Sequence, residues 1–307
     1  MHSRSPLMPT MHTEAVSPRA LDHFVCATRD VEDAGRAYTR LGFHVLPKMR
    51  HVEIGSCNRI VQLHDTYFEL VGDLERCTPA LAERLTARFA CGEGLAMTSL
   101  TSSDLPGDHA ALSAQPDLTV DRILNARRRI AMPDGTDDET DSHCFYVWHP
   151  RSTFLTLFLS EHYKPHTIWV PAYMQHPNGA RRVVRQTFVA PDPLAERSYF
   201  ERMLGATAAQ ASSDRLEFRT PRGETVEILA PTQLATRFGA AAPPPCAAFR
   251  GHGVGLRYEV EDLATCLELL VKNGVKHVET PGGLTVPGEF AAGVVTEFVP
   301  IARGARS

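Results

Sequence analysis

The stretch ALDHFVCATRDVEDAGRAYTRLGF, residues 20–43, combines the pattern of a strand with the pattern of a helix. Apolar residues alternate over positions 21–28, which indicates a β-strand. Four apolar residues then share one face of a predicted helix: Val31, Ala34, Tyr38 and Leu41. Gly42 ends that helix, because glycine readily adopts the left-handed conformation of a helix C-terminus. A single histidine, His23, lies inside the strand, and taken alone it favours a core residue over a ligand.

The same pattern recurs three times along the chain. The stretch HGVGLRYEVED begins at His252, and it matches the stretch that begins at His23 without a gap. The stretch RQTFVAPDPLAERSYF places Arg185 where the first copy has His23. A weaker copy, MTSLTSSDLPGDHAAL, places Met97 there. Repetition of one unit at this scale predicts a fold built from similar modules.

Each copy continues with short strand-like runs after its helix, so the predicted unit is βαβββ. Four such modules are predicted near residues 20–75, 92–163, 182–231 and 250–302. The predicted fold class is therefore α+β. The predicted divisions of the chain are a disordered leader (1–18), a half with modules one and two (19–163), a connector (164–181), and a half with modules three and four (182–307).

Charge and composition exclude several classes of function. The formal net charge is −4 and the pI is near 6.4, so no basic surplus exists to neutralise nucleic acid or an anionic membrane. No apolar run is long enough to span a bilayer, and the predicted leader lacks the apolar core of a secretory signal. The seven cysteines include no C-x-x-C, which predicts reduced thiols in a cytoplasmic protein. The expected partner is a small-molecule substrate, and the sequence is compatible with a homodimer.

Four βαβββ modules with histidine on a first strand resemble the vicinal oxygen chelate superfamily, which contains glyoxalase I and the extradiol dioxygenases. The stretches LDHFVCATRDVEDA, NRIVQLHDTYFELVG and HPNGA resemble its glyoxalase-like branch. This resemblance implies that two modules pair into a cup-shaped, barrel-like unit, so that four modules form two cups. It also implies that metal ligands come from the first and last strands of a module.

Two modules carry such a pair of residues. Glu69 lies in the predicted last strand of module one and Glu297 in that of module four. The spacing from His23 to Glu69 is nearly equal to the spacing from His252 to Glu297. Modules two and three lack a complete pair. We therefore predict that module one pairs with four and module two with three, which places all four of these side chains in one cup. The other pairing, one with two and three with four, stays open and would separate the two pairs.

Two imidazoles and two carboxylates suit a divalent metal, such as Zn, Ni, Co, Mn or Fe(II). A metal held in this way polarises adjacent substrate oxygens and stabilises an enediolate. Glu69 or Glu297 is the predicted general base, which moves a proton between neighbouring carbons. The predicted function is thus a glyoxalase-type lyase or isomerase acting on a small oxygenated metabolite. The alternatives are an Fe(II) extradiol-type dioxygenase and a non-enzymatic binding or resistance protein. The extradiol pattern requires a histidine at the position of Arg185.

Four further residues are candidate substrate contacts. Asn58 and Arg59 open a strand-like run of module one, and Arg59 is suited to a substrate carboxylate or to a salt bridge at the rim. His176 and Asn178 lie in HPNGA within the connector. Because Asn-Gly favours positive φ, that stretch also predicts a plain turn.

Overall fold

The computed structural model describes residues 17–148, 156–246, 251–280 and 282–302. The predicted leader lies outside this range except for its last two residues. Module one contains β1 (Leu21–Ala27), α1 (Val31–Arg40), β2 (Met49–Arg50), β3 (Cys57–Gln62) and β4 (Tyr67–Gly72). Helix α2 (Pro79–Ala87) follows it. Module two contains β5 (Gly94–Thr101), α3 (Leu105–Ser113), β6 (Thr119–Val120), β7 (Leu124–Asn125), β8 (Arg129–Ala131), β9 (Asp137–Glu139), β10 (Ser142–Trp148) and β11 (Thr156–His162).

The second half repeats the βαβββ order, and its module four lacks the extra strands of module two. Module three contains β12 (Ala180–Val189), α4 (Arg197–Leu204), β13 (Gln210–Ser212), β14 (Arg215–Arg219) and β15 (Thr225–Leu229), and α5 (Leu234–Phe238) follows it. Module four contains β16 (His252–Val260), α6 (Leu263–Lys272), β17 (Val278–Thr280), β18 (Gly283–Val286) and β19 (Val295–Pro300). The predicted α+β class and the four modules are confirmed.

The order of the strands corrects the predicted pairing of the modules. One sheet runs β2-β3-β4-β1-β5-β11-β10-β6, and the other runs β13-β14-β15-β12-β16-β19-β18-β17. Strand β1 lies antiparallel to β5, with Val25 opposite Met97, so module one pairs with module two. Strand β12 lies antiparallel to β16, so module three pairs with module four. The prediction that module one pairs with four is wrong, and neighbours along the chain pair instead, as is usual.

Helix caps and strand register give a second correction. The N-cap of α1 is Asp30, and its counterpart at the start of α6 is Asp262. In the sheets, Val25 lies beside Glu69 and Arg257 lies beside Glu297. Caps and strands therefore agree on one alignment of the two modules, and the ungapped match in the sequence is displaced from it by three positions. In this alignment the residue of module four that is equivalent to His23 is Gly255, and not His252.

Modules one and four do contact each other, but through a core away from the cups. Phe43, which follows α1, packs against Tyr258 of β16 and Phe298 of β19, with ring centroids 5.1 and 5.9 Å apart. All three rings are almost fully buried. Modules two and three also contact each other, since Gln186 of β12 donates a hydrogen bond to Thr98 Oγ1 of β5 at 2.5 Å. Burial of these large apolar side chains is the main stabilising contribution that joins the two sheets.

Cys91 and Cys246 form a disulfide, with Cα atoms 5.7 Å apart. This distance lies in the usual range for a disulfide. The prediction that all thiols are reduced is therefore wrong for this pair, and their wide separation along the chain hid it from the sequence. Among the described residues, no helix is both long enough and apolar enough to cross a bilayer.

Candidate functional site

The enclosed space between modules one and two is called the first cup. Its polar lining comes from both modules: His23, His51, Glu69, Arg128, Ser142 and His162. Leu81 and Leu85 of α2 also line it. About 30 Å³ of this space is open to the centre of a water molecule, which is room for roughly two waters. Charged groups in so small a space interact with one another more strongly than they would in bulk water.

A bulge in β1 places Asp22 beside His23, whose side chain lines the first cup. Leu21 lies opposite Leu100 and His23 opposite Ser99, so Asp22 is an extra residue in the ladder. Without the bulge, Asp22 and His23 would point to opposite faces of the sheet, because side chains alternate along a strand. In the structure, His23 Nδ1 lies 2.5 Å from Asp22 Oδ1. The sequence prediction missed Asp22 for this reason.

His162, at the end of β11, completes a group of three residues called the Asp22 cluster: Asp22, His23 and His162. Its Nε2 lies 3.0 and 3.2 Å from the two oxygens of Asp22, and its Nδ1 lies 2.7 Å from Ser142 Oγ. Burial by itself would raise the pKa of Asp22, but His162 and His23 together lower that pKa well below its usual range. Asp22 is therefore an ionised, buried carboxylate between two imidazoles.

A second polar group, the Glu69 cluster, consists of Glu69, Asn58 and His51. Asn58 Nδ2 donates a hydrogen bond to Glu69 Oε1 at 3.0 Å, and His51 Nε2 lies 4.0 Å from the same oxygen. Burial lowers the pKa of His51 to about 4, so His51 is neutral at pH 7. His23 stacks on Tyr67, its neighbour in the adjacent strand, with ring centroids 4.2 Å apart. Glu69 lies on the same face of the sheet as Tyr67, because side chains alternate along a strand. Of the predicted substrate contacts, Asn58 is the one that binds a residue of the first cup, Glu69, although Asn58 does not itself line that space.

The Asp22 cluster fits a divalent metal by its donor chemistry. Its three ligand atoms all lie within 4.8 Å of one another. Two imidazole nitrogens and one carboxylate oxygen suit Zn, Mn, Ni, Co or Fe(II). The contact between His162 Nδ1 and Ser142 orients Nε2 towards the cluster, which is the usual role of an outer partner of a metal ligand.

The structure does not bring the four predicted metal ligands together. His23 and Glu69 line the first cup, while His252 and Glu297 belong to the other sheet. Glu297 accepts hydrogen bonds from Arg237 and from Arg257, at 2.5 to 3.3 Å. These arginines lower the pKa of Glu297 although burial opposes them, so its charge is already compensated. His252 lines a different space, and burial lowers its pKa to about 4.

The remaining predicted substrate contacts bind backbone or helix partners. Arg59 Nη1 lies 2.8 Å from Glu32 of α1, as in the alternative of a salt bridge. His176 lies between the backbone N–H of His44 and the carbonyl of Gln62, at 3.0 and 2.7 Å. Asn178 is fully buried in the turn predicted from HPNGA. None of these three residues lines the first cup as the structure describes it.

Asn178→Ala is expected to lower stability by about 2 kcal/mol, because it leaves two buried backbone groups without partners. Asn178 Nδ2 donates to Leu41 O and its Oδ1 accepts from Ala180 N, both at 2.9 Å. Urea unfolding measures the change. A substrate-binding role predicts the opposite result, with unchanged stability and weakened ligand binding.

Comparison with known proteins places the fold. A family model described as a glyoxalase-like domain matches residues 21–204. No curated protein matches the chain. A solved structure of a hypothetical protein from Staphylococcus aureus is 9% identical, covers 92% of this chain and 98% of its own, and has a TM-score of 0.64.

Two further solved structures carry functional names. A xylose isomerase-like TIM barrel/4-hydroxyphenylpyruvate dioxygenase fusion protein is 13% identical over 98% of this chain and 52% of its own, with a TM-score of 0.58. A mutant of 4-hydroxymandelate synthase from Streptomyces coelicolor is 10% identical over 94% of both chains, also at 0.58. At such identities the likeness concerns the fold alone. Because the family model covers more than half of the chain, the chain belongs to the glyoxalase-like domain family of the vicinal oxygen chelate superfamily.

Proposed function

We propose that the first cup is the active site of a divalent-metal-dependent lyase or isomerase that acts on a small oxygenated metabolite. The Asp22 cluster is the observation that carries this proposal, since two imidazoles and an ionised carboxylate lie within 4.8 Å in a buried site. Asp22, His23 and His162 would hold the metal. When bound, such an ion polarises substrate oxygens and stabilises negative charge that develops on them.

Glu69 is the proposed general base. Its Oε1 is held by Asn58 at 3.0 Å, so the carboxylate keeps one orientation while it accepts a proton. A carboxylate so placed removes a proton from one substrate carbon and returns it to the neighbouring carbon. His51 supports this role because it is neutral at pH 7 and places no positive charge beside Glu69. In this proposal, Asn58 is a positioning residue.

Substrate entry requires a movement of α2, because a space of about 30 Å³ has room for water but not for a metabolite. Leu81 and Leu85 of this helix line the first cup. The guanidinium of Arg84 lies over the ring of Trp148 in β10, 3.4 Å from its centroid. Short helices that close a site in this way commonly open and close during turnover.

Elemental analysis of dialysed protein tests the metal site. We expect His162→Ala to lose the metal that the wild type retains, because the cluster loses one of its three ligands. His252→Ala is the matched control, since His252 is a strand histidine that lies outside the first cup and is also shielded from solvent. Its metal content should equal that of the wild type. Retention of metal by His162→Ala, or its loss from His252→Ala, would contradict the proposed ligands.

An Fe(II)-dependent dioxygenase is the second candidate. Two histidines and one carboxylate are the donor set of the facial triad in non-haem iron oxygenases. The solved structures with this fold include two whose names refer to 4-hydroxyphenylpyruvate dioxygenase and 4-hydroxymandelate synthase. Iron in anaerobically purified protein, together with oxygen uptake on catechol, would favour this candidate. A redox-inactive ion such as zinc would favour the lyase or isomerase.

A further inference from the structure

Arg128 is a buried cation in the first cup. Its exposed fraction is 2%, and its side chain lines the enclosed space. Nη1 donates a long hydrogen bond of 3.3 Å to Thr140 Oγ1. Within the described part of the chain, Nε and Nη2 have no hydrogen-bond partner. An arginine does not lose its proton in a protein, so this charge stays buried and under-compensated.

The backbone holds Arg128 in place without help from its guanidinium. The N–H of Arg128 donates to Thr140 Oγ1 at 3.1 Å, and the N–H of Thr140 donates to the carbonyl of Arg128 at 2.9 Å. Thr140 is fully buried, and the hairpin of β8 and β9 continues from these two residues. The guanidinium is thus presented to the first cup in advance of any ligand, which is a common property of binding sites.

The acidic residues of the first cup have other partners. Asp22 is bound by two histidines, and Glu69 accepts its hydrogen bond from Asn58. In the described ranges, no carboxylate oxygen lies within 4.0 Å of a nitrogen of Arg128, whereas its neighbour Arg127 pairs with Glu139 at 3.4 Å. A buried charge left in this state strongly destabilises a fold unless a ligand completes it.

We propose that Arg128 binds an oxyanion of the substrate, a carboxylate or a phosphate, so that the first cup acts on an anionic metabolite. This inference rests on the proposed function of the same cup. The planar guanidinium offers two parallel N–H groups, which match the oxygens of such an anion. Asp22 and Glu69 contribute two negative charges, while a divalent metal and Arg128 contribute three positive charges. The remaining positive charge favours an anionic substrate over a neutral one.

Thermal unfolding and calorimetric titration with three probes test this inference: acetate, its neutral analogue acetamide, and inorganic phosphate. We expect acetate or phosphate, but not acetamide, to raise the unfolding temperature of the wild type. Arg128→Met should weaken anion binding by about 100-fold or more, because it removes one partner of a buried charge pair. Arg127→Met is the matched control, since Arg127 is half-exposed, and it should bind the anion as the wild type does. The anion that binds more tightly, acetate or phosphate, identifies whether Arg128 prefers a carboxylate or a phosphate.

A second readout separates a ligand-binding role from a structural one. Without anion, Arg128→Met should unfold at the same temperature as the wild type or higher, since it removes an under-compensated buried charge. A clearly lower unfolding temperature would overturn the inference, as would equal anion binding by Arg128→Met or no stabilisation of the wild type by either anion. Metal content is measured independently. Absence of metal with anion binding intact contradicts the proposed function alone, while retained metal without anion binding contradicts this inference alone.

Discussion

Asp22→Asn is expected to weaken metal binding by about 100-fold, since loss of even an outer partner of a metal ligand costs about 10- to 100-fold. The amide has the same shape as the carboxylate, so the fold should survive. However, it carries no charge, so it is a weaker metal ligand and a weaker acceptor for His23 Nδ1 and His162 Nε2, which lie 2.5 and 3.0 Å from Asp22 Oδ1. It also replaces Oδ2, which lies 3.2 Å from His162 Nε2, with an NH₂ group that cannot accept a hydrogen bond.

Metal affinity at pH 7, measured by competition with a chelator, checks the effect of Asp22→Asn. Asp30→Asn is the control, because Asp30 is an exposed helix cap and asparagine caps a helix equally well. We expect that control to bind metal as the wild type does. Since the pKa of Asp22 is well below its usual range, its charge and the stability it confers are lost only in strong acid. Equal affinities of Asp22→Asn and Asp30→Asn would remove Asp22 from the site.

The repeated modules were predictable because their signals are local. An aspartate accepts a backbone N–H at the start of the helix in modules one, two and four, and at the start of the 3₁₀ turn that leads into α4 in module three: Asp30, Asp104, Asp262 and Asp192. Strand alternation and helical spacing on either side of each cap are equally local. Residues that are close together in the sequence are enough to identify such a unit. The fold class and the number of modules follow from it.

The pairing of the modules was not predictable from the same signals. The triplet VED follows the cap residue Asp30 in module one, but it contains the cap residue Asp262 in module four. Alignment on the triplet therefore moved His252 by three positions, onto the place of His23. The nearly equal spacing to Glu69 and Glu297 then suggested a common site, although Arg257, and not a histidine, is the strand neighbour of Glu297.

The candidate site was predictable in part. His23 and Glu69 lie on the first and last strands of module one, where alternation identifies the face of the sheet. Asp22 was hidden by a bulge, which breaks that alternation. His162 and Arg128 come from module two, far from His23 along the chain, and no local pattern links them to it. Contacts between distant strands depend on sheet order, and the sequence prediction had the wrong order.

Arg237→Met is expected to lower the free energy of unfolding by about 3 kcal/mol, because two buried glutamates each lose one of their cationic partners. Arg237 Nε donates to Glu227 Oε1 at 2.8 Å, and its terminal nitrogens donate to both oxygens of Glu297 at 2.7 and 2.5 Å. Both glutamates are buried, with exposed fractions of 0% and 6%. Arg185 also forms an ion pair with Glu227, and Arg257 forms one with Glu297. Glu227 and Glu297 thus belong to a structural network of ion pairs in the sheet of modules three and four, and they are not free to bind a metal.

The pH dependence of stability distinguishes this network from ordinary packing. Burial opposes ionisation of Glu227 and Glu297, but the arginines lower both pKa values below the usual range. Their stabilisation is therefore present above the pKa of unfolded glutamate and is lost as the pH falls through the lowered values. Urea unfolding should show the full deficit of Arg237→Met at pH 7 and a smaller one in acid, where the wild type loses the same interactions. Arg197→Met, which removes a half-exposed pair with Glu201, should change stability by less than about 1 kcal/mol at either pH. A deficit for Arg237→Met that is independent of pH would indicate lost packing, because only ionised glutamates depend on the guanidinium.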